Sequence, residues 1–142
     1  MNKAGDRMNR TRTLLRFAAL FALVGTFIGS HMAGAGSYAL RPMHAHILVV
    51  GWLSLFAFAV FYRLFPIPKD SKLAKVQVWS AIIGSITLPT GMYWEQVITG
   101  GPLATFALIY YIVGGSILLI SFVLFFVMTF TFSSYIDEKK ID

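Results

Sequence analysis

The sequence predicts an all-α integral membrane protein of four helices, and three observations carry that prediction. The chain of 142 residues is 57% hydrophobic with a mean hydropathy of +0.72. Only 13% of its residues are charged, about half the share usual in a soluble domain. The charges collect at the two ends and in one connecting loop, which leaves long uncharged stretches of membrane-spanning length.

The first helix is predicted over 13–33, behind the basic residues Lys3, Arg7, Arg10, Arg12 and Arg16. A basic start, an apolar middle and the small residues of "MAGAGSYA" also fit a secretory signal, the less favoured reading. "AGAGSYALRP" is a glycine-rich turn, and Pro42 suits the first turn of a second helix over 42–64, where a missing N–H costs nothing. The loop "RLFPIPKDSKLAK" follows, with Arg63, Lys69, Lys72 and Lys75 against Asp70. A third helix spans 76–95, and Pro89 within it removes a backbone hydrogen bond and should bend it. After "EQVITGGPLA" a fourth helix runs over 102–132, longer than the hydrocarbon core demands, before the polar tail "SSYIDEKKID". The whole chain, 1–142, reads as one transmembrane domain.

Charge placement orients the helices. The positive-inside rule puts the N-terminus and the Lys-rich loop in the cytoplasm, and four spans return the C-terminus to that side of a bacterial-type plasma (inner) membrane. His31, His44, His46 and Glu95 then share the outer half, with Tyr93 and Trp94 as an interfacial belt. The net charge of +6 flanks hydrophobic spans, where lipid head groups account for it and nucleic acid need not be invoked. With no cysteine in the chain, disulfides, iron–sulfur clusters and thiolate ligands are excluded.

His44 and His46 are the residues that invite a chemical reading. On an α-helix, positions i and i+2 differ by about 200° and face nearly opposite ways, so the pair cannot easily clamp one ion. The spacing asks for two sites, one on each flank, each completed from elsewhere.

"RPMHAHILVVGWLSLFAFAVFYRLFP", from Arg41 to Pro66, resembles the second transmembrane helix of subunit I of the haem–copper oxidase superfamily, especially the cbb3-type oxidases and nitric oxide reductases. The residues that carry the resemblance are Arg41, His44, Gly51 with Trp52, and Tyr62 with Pro66; the "GMYW" stretch of the third helix is also similar. The resemblance implies that His44 is an axial ligand of a low-spin haem b. It also implies an architecture, because that subunit arranges twelve helices in three arcs of four, with a His–x–His on its tenth helix whose members serve two different haems. A homotrimer of this chain would rebuild the twelve-helix arrangement, with His44 of one protomer and His46 of its neighbour ligating one haem, and Arg41 near the propionates. Two imidazoles fill both axial positions, so the implied role is electron transfer with a quinol or another redox partner, not oxygen reduction. The later helices that supply the copper ligands have no counterpart here.

Two other readings stand beside this one. His31, Met43 and Glu95, with Met32 and Met92, gather with the histidine pair, and thioethers with imidazoles suit copper binding or transport. A non-catalytic accessory subunit of a respiratory complex is the third. For His31 a helix-end cap is the simpler role, for the methionines ordinary packing, and for Glu95 a solvated carboxylate. Gly25 and Gly29 form a G-x-x-x-G pattern, and with Gly84, Gly91, Gly114 and Gly115 they predict close helix packing or oligomerisation within the membrane.

Overall fold

A computed structural model describes residues 9–136, so Lys3, Arg7 and the tail from Asp137 lie outside the described residues. Every element among the described residues is helical: α1 is Arg10–Ala35, α2 is Arg41–Leu64, α3 is Lys72–Val97, α4 is Gly101–Thr131, and a single turn, α5, is Ser133–Ile136. The molecule is a pair of helical hairpins laid side by side. α1 packs chiefly on α2, α4 chiefly on α3, and α3 touches all three of the others.

Helix ends follow the local chemistry. The Asn9 side chain accepts a hydrogen bond from the Arg12 N–H at 3.0 Å, and the Ser71 hydroxyl oxygen accepts one from the Ala74 N–H at 3.2 Å, satisfying orphan donors at the starts of α1 and α3. α1 stops at Gly36, whose φ of 59° opens the left-handed conformation. The Ser37 N–H then donates to the Met32 carbonyl at 3.2 Å and the Gly36 N–H to the Ala33 carbonyl at 3.3 Å, a Schellman closure. Between α3 and α4, Gly100 and Gly101 both have positive φ, at 82° and 71°, so the turn depends on glycine.

α1, α2 and α4 are long and apolar enough to cross a membrane. α3 matches α1 at 26 residues, about 39 Å at 1.5 Å per residue, but is too polar to qualify on composition. Its position explains the difference. α3 is the interior helix and buries Gln77 and Ser85 completely, where protein partners replace lipid. Tyr62 donates its hydroxyl proton to Gln77 Oε1 at 2.9 Å, and the Gln77 amide donates to Ser121 Oγ at 3.3 Å. The remaining outward face of α3 is an apolar stripe of Val76, Trp79, Ile83 and Ile86.

The α2 helix contains a feature the sequence reading did not anticipate: Ile47–Ser54 is π-helical, beginning immediately after His46. The wider winding disturbs the usual carbonyl partners, and side chains compensate. Ser54 Oγ donates to the Val49 carbonyl at 2.9 Å, and Ser85 Oγ of α3 donates to the Val50 carbonyl at 3.0 Å. Gly51 lies inside this stretch where the Phe21 ring presses in; a Cβ there would stand 2.5 Å from it.

Glycine also sets the α3–α4 spacing. A Cβ at Gly84 would lie 2.7 Å from the Leu118 backbone, one at Gly91 2.7 Å from Tyr111 Cα, and one at Gly114 2.8 Å from the Leu88 nitrogen. Gly115, one residue on, would meet only the Leu88 methyl at an ordinary 3.6 Å. Gly84→Ala should therefore destabilise the protein by about 2 kcal/mol, because backbone must move to admit the methyl. Gly115→Ala should be neutral or stabilising by up to about 1 kcal/mol through helix propensity. Unfolding of the purified protein in mixed micelles, followed by circular dichroism, measures both.

Candidate functional site: two histidines at the head of α2

The sequence-predicted residues lie at one end of the molecule, where α1 and α3 finish and α2 and α4 begin. The Gln96 side chain donates to the Ala39 carbonyl at 3.0 Å and ties the end of α3 to the loop that leads into α2. Pro42 occupies the first turn of α2, and His44 and His46 follow within the same short α-helical segment ahead of the π-helix.

The two histidines lie on different faces. His44 continues the inward face of α2 through Ile47, Gly51 and Leu55, all buried, toward α1. His46 continues the outward stripe of Val49, Leu53, Phe56 and Val60, all exposed. His44 is half-buried, its ring laid against α1 over Gly29, where a Cβ would stand 2.8 Å from its Cε1. Its Nδ1 is 2.9 Å from the Gly25 carbonyl oxygen. His46, also half-buried, holds its Nδ1 2.9 Å from the Pro42 carbonyl one turn back on its own helix.

These contacts fix the protons. A carbonyl oxygen only accepts, so each Nδ1 must be the N–H donor. In the neutral imidazole the other ring nitrogen then carries the lone pair, the tautomer required of an Nε2 metal ligand held by a backbone carbonyl. Neither Nε2 has a hydrogen-bond partner among the described residues, and neither is sealed from the surface. The arrangement therefore presents two separate nitrogen donors on two faces of one helix, each oriented through its second nitrogen.

The other named residues are not drawn into that arrangement. Arg41 is exposed, and its guanidinium stacks 4.7 Å above the Tyr38 ring. His31 and Glu95 are exposed and Met43 is half-buried. Met32 is buried and Met92 half-buried. No group of three or more His, Cys, Asp or Glu side chains converges among the described residues. Sequence reasoning assigned Gly25 and Gly29 to packing and missed their second use: Gly29 makes room for the His44 ring and Gly25 supplies its carbonyl. The G-x-x-x-G spacing was the legible signal, since it marks a surface where another chain segment comes close.

Comparison with protein families, curated proteins and solved structures finds no match to this chain.

A test of the tautomers follows from this geometry. In haem-free protein labelled with ¹⁵N-histidine, His44 and His46 should both appear as the Nδ1–H form. Gly29→Ala should disturb the His44 signals alone and destabilise the protein by about 1–3 kcal/mol, since the ring or α1 must shift. Gly34→Ala, where nothing lies within 4 Å of the new methyl, should leave the spectrum unchanged.

Proposed function

We propose that this chain is a haem b-binding membrane protein that carries electrons, with His44 and His46 as axial ligands. The observation that supports this most is the pair of Nδ1 contacts, to the carbonyls of Gly25 and Pro42, which leave both Nε2 lone pairs free for metal. Haem needs only one or two protein ligands, so the absence of a converging cluster of three among the described residues does not conflict with it. Haem b held by the His44 and His46 imidazoles would supply a one-electron couple.

The residues have distinct parts in this proposal. His44, braced against α1, holds its ligand nitrogen in a fixed direction. His46, on the outward stripe of α2, offers its nitrogen to a second copy of the chain, so that His44 of one protomer and His46 of the next complete one site in a closed homotrimer. Arg41, exposed one turn before His44, is free to leave the Tyr38 ring for a propionate carboxylate. In the same proposal all four long helices cross an inner membrane with both termini in the cytoplasm; the outward apolar stripe of α3 supports the fourth crossing. A quinol or another redox protein supplies and removes the electron.

Visible spectroscopy tests the reading. The purified protein, loaded with haem b and reduced, should give the sharp Soret and α bands of a low-spin six-coordinate haem. His44→Ala and His46→Ala should each lose them, while His31→Ala should keep them. A colourless protein that instead takes up Cu(I) stoichiometrically, or an unchanged spectrum in His46→Ala, would overturn the proposal.

A further inference from the structure

At the end of the molecule opposite the histidines, α1 and the end of α2 enclose a groove of about 530 Å³ lined by Asn9, Arg12, Leu15, Arg16, Ala19, Tyr62 and Arg63, among others. Three of those residues are arginines, Arg12, Arg16 and Arg63, and none of their guanidinium groups has a hydrogen-bond or ion-pair partner among the described residues, the Arg12 bond to Asn9 being a backbone one. Arg10 differs. It donates to the carbonyls of Pro68 at 3.0 Å and Lys69 at 2.7 Å, and lies 5.4 Å above the Tyr62 ring, so its charge is engaged in holding the α2–α3 loop against α1. Tyr62, beneath that clamp and held by its bond to Gln77, lines the groove.

We infer that this groove binds the phosphate of one anionic phospholipid, held by Arg12, Arg16 and Arg63, with an acyl chain lying along α1. Charge complementarity argues for the anion: three exposed guanidinium groups line one groove, and no carboxylate is among the described residues that line it. Arginine suits phosphate because its planar fork gives paired hydrogen bonds. The floor argues for a lipid over a free anion. Arg12, Arg16, Ala19 and Leu23 follow one another at i, i+4, i+7 and i+11, one face of α1, and that face passes from charge to hydrocarbon as α1 enters its apolar stretch. Leu15 and Ala19 are exposed within the groove, and Leu23, 68% exposed, continues the stripe beyond it. A head group at the arginines and a chain over Ala19 and Leu23 would occupy the whole stripe. Ordinary snorkelling of arginines to any head group would need no groove and no shared focus.

The experiment uses the full chain in neutral detergent, with native mass spectrometry counting bound lipid. Palmitoyl-oleoyl phosphatidylglycerol should bind at one high-affinity equivalent, about tenfold tighter than the phosphatidylcholine of the same chains. The triple variant Arg12→Gln, Arg16→Gln, Arg63→Gln should lose that preference. Lys69→Gln, Lys72→Gln, Lys75→Gln, which removes the same charge from the same end outside the groove, should keep it. Ala19→Phe, which leaves every charge in place and fills the floor, should also weaken phosphatidylglycerol binding several-fold, and it decides the matter if the arginine variant does not fold. Equal loss in the two triple variants would overturn the inference, as would unchanged binding in Ala19→Phe or displacement of the lipid by millimolar inorganic phosphate.

Discussion

The structure depends on helices approaching one another more closely than side chains normally allow. Between apolar helices in lipid there is little hydrophobic drive to associate, so close packing and hydrogen bonds must hold the bundle together. Glycine provides the approach twice. On α1, Gly25 and Gly29 admit Ile47, Leu48 and the His44 ring of α2; between α3 and α4, Gly84, Gly91 and Gly114 bring backbone against backbone. The first of these contacts also orients His44, because only where α1 lies so near can its Gly25 carbonyl reach His44 Nδ1 at 2.9 Å.

A second constraint, the satisfaction of every polar group without water, explains the polarity of α3. Backbone and side-chain groups within a bilayer must find partners inside the protein. The π-helical stretch of α2 creates such a need, and Ser54 and Ser85 meet it at the Val49 and Val50 carbonyls. Tyr62, Gln77 and Ser121 form a further chain of bonds across α2, α3 and α4, and no buried side-chain nitrogen or oxygen among the described residues is left without a partner. Gln77 and Ser85, two of the residues that lower the hydropathy of α3, are also residues that join it to its neighbours. The irregular winding directly after His46 is also where the helix passes from its histidine-bearing head to its packed body.

Long helices were readable from the sequence because charge and proline bound them sharply: 42–64 against Arg41–Leu64 differs by one residue at its start, and 102–132 against Gly101–Thr131 by one residue at each end. The opposed directions of His44 and His46 were readable too, since helix geometry alone fixes an i, i+2 pair. The π-helix was not, because Ile47–Ser54 is uniformly apolar apart from Gly51 and Ser54 and carries no periodic signal. Nor was the interior place of α3, which depends on contacts with residues far along the chain. For Arg41 position alone could not foresee the Tyr38 ring, a neighbour brought in by the turn. The arginine groove likewise joins residues from two helices whose spacing in sequence says nothing of their meeting.

The central claim is that one chain carries two half-sites and that a neighbour completes each. Co-expression of differently tagged His44→Ala and His46→Ala chains, with tandem purification of the mixed oligomer, addresses it most directly. Each variant retains the histidine the other lacks, so an interface between the two in one order has both. The account predicts that low-spin bis-histidine haem, absent from either variant alone, returns in the mixed oligomer at roughly a third of the wild-type amount, because a closed ring of three that holds both variants has one complete interface in three. Mixed oligomers without that haem, while wild-type protein binds it, would contradict the shared site.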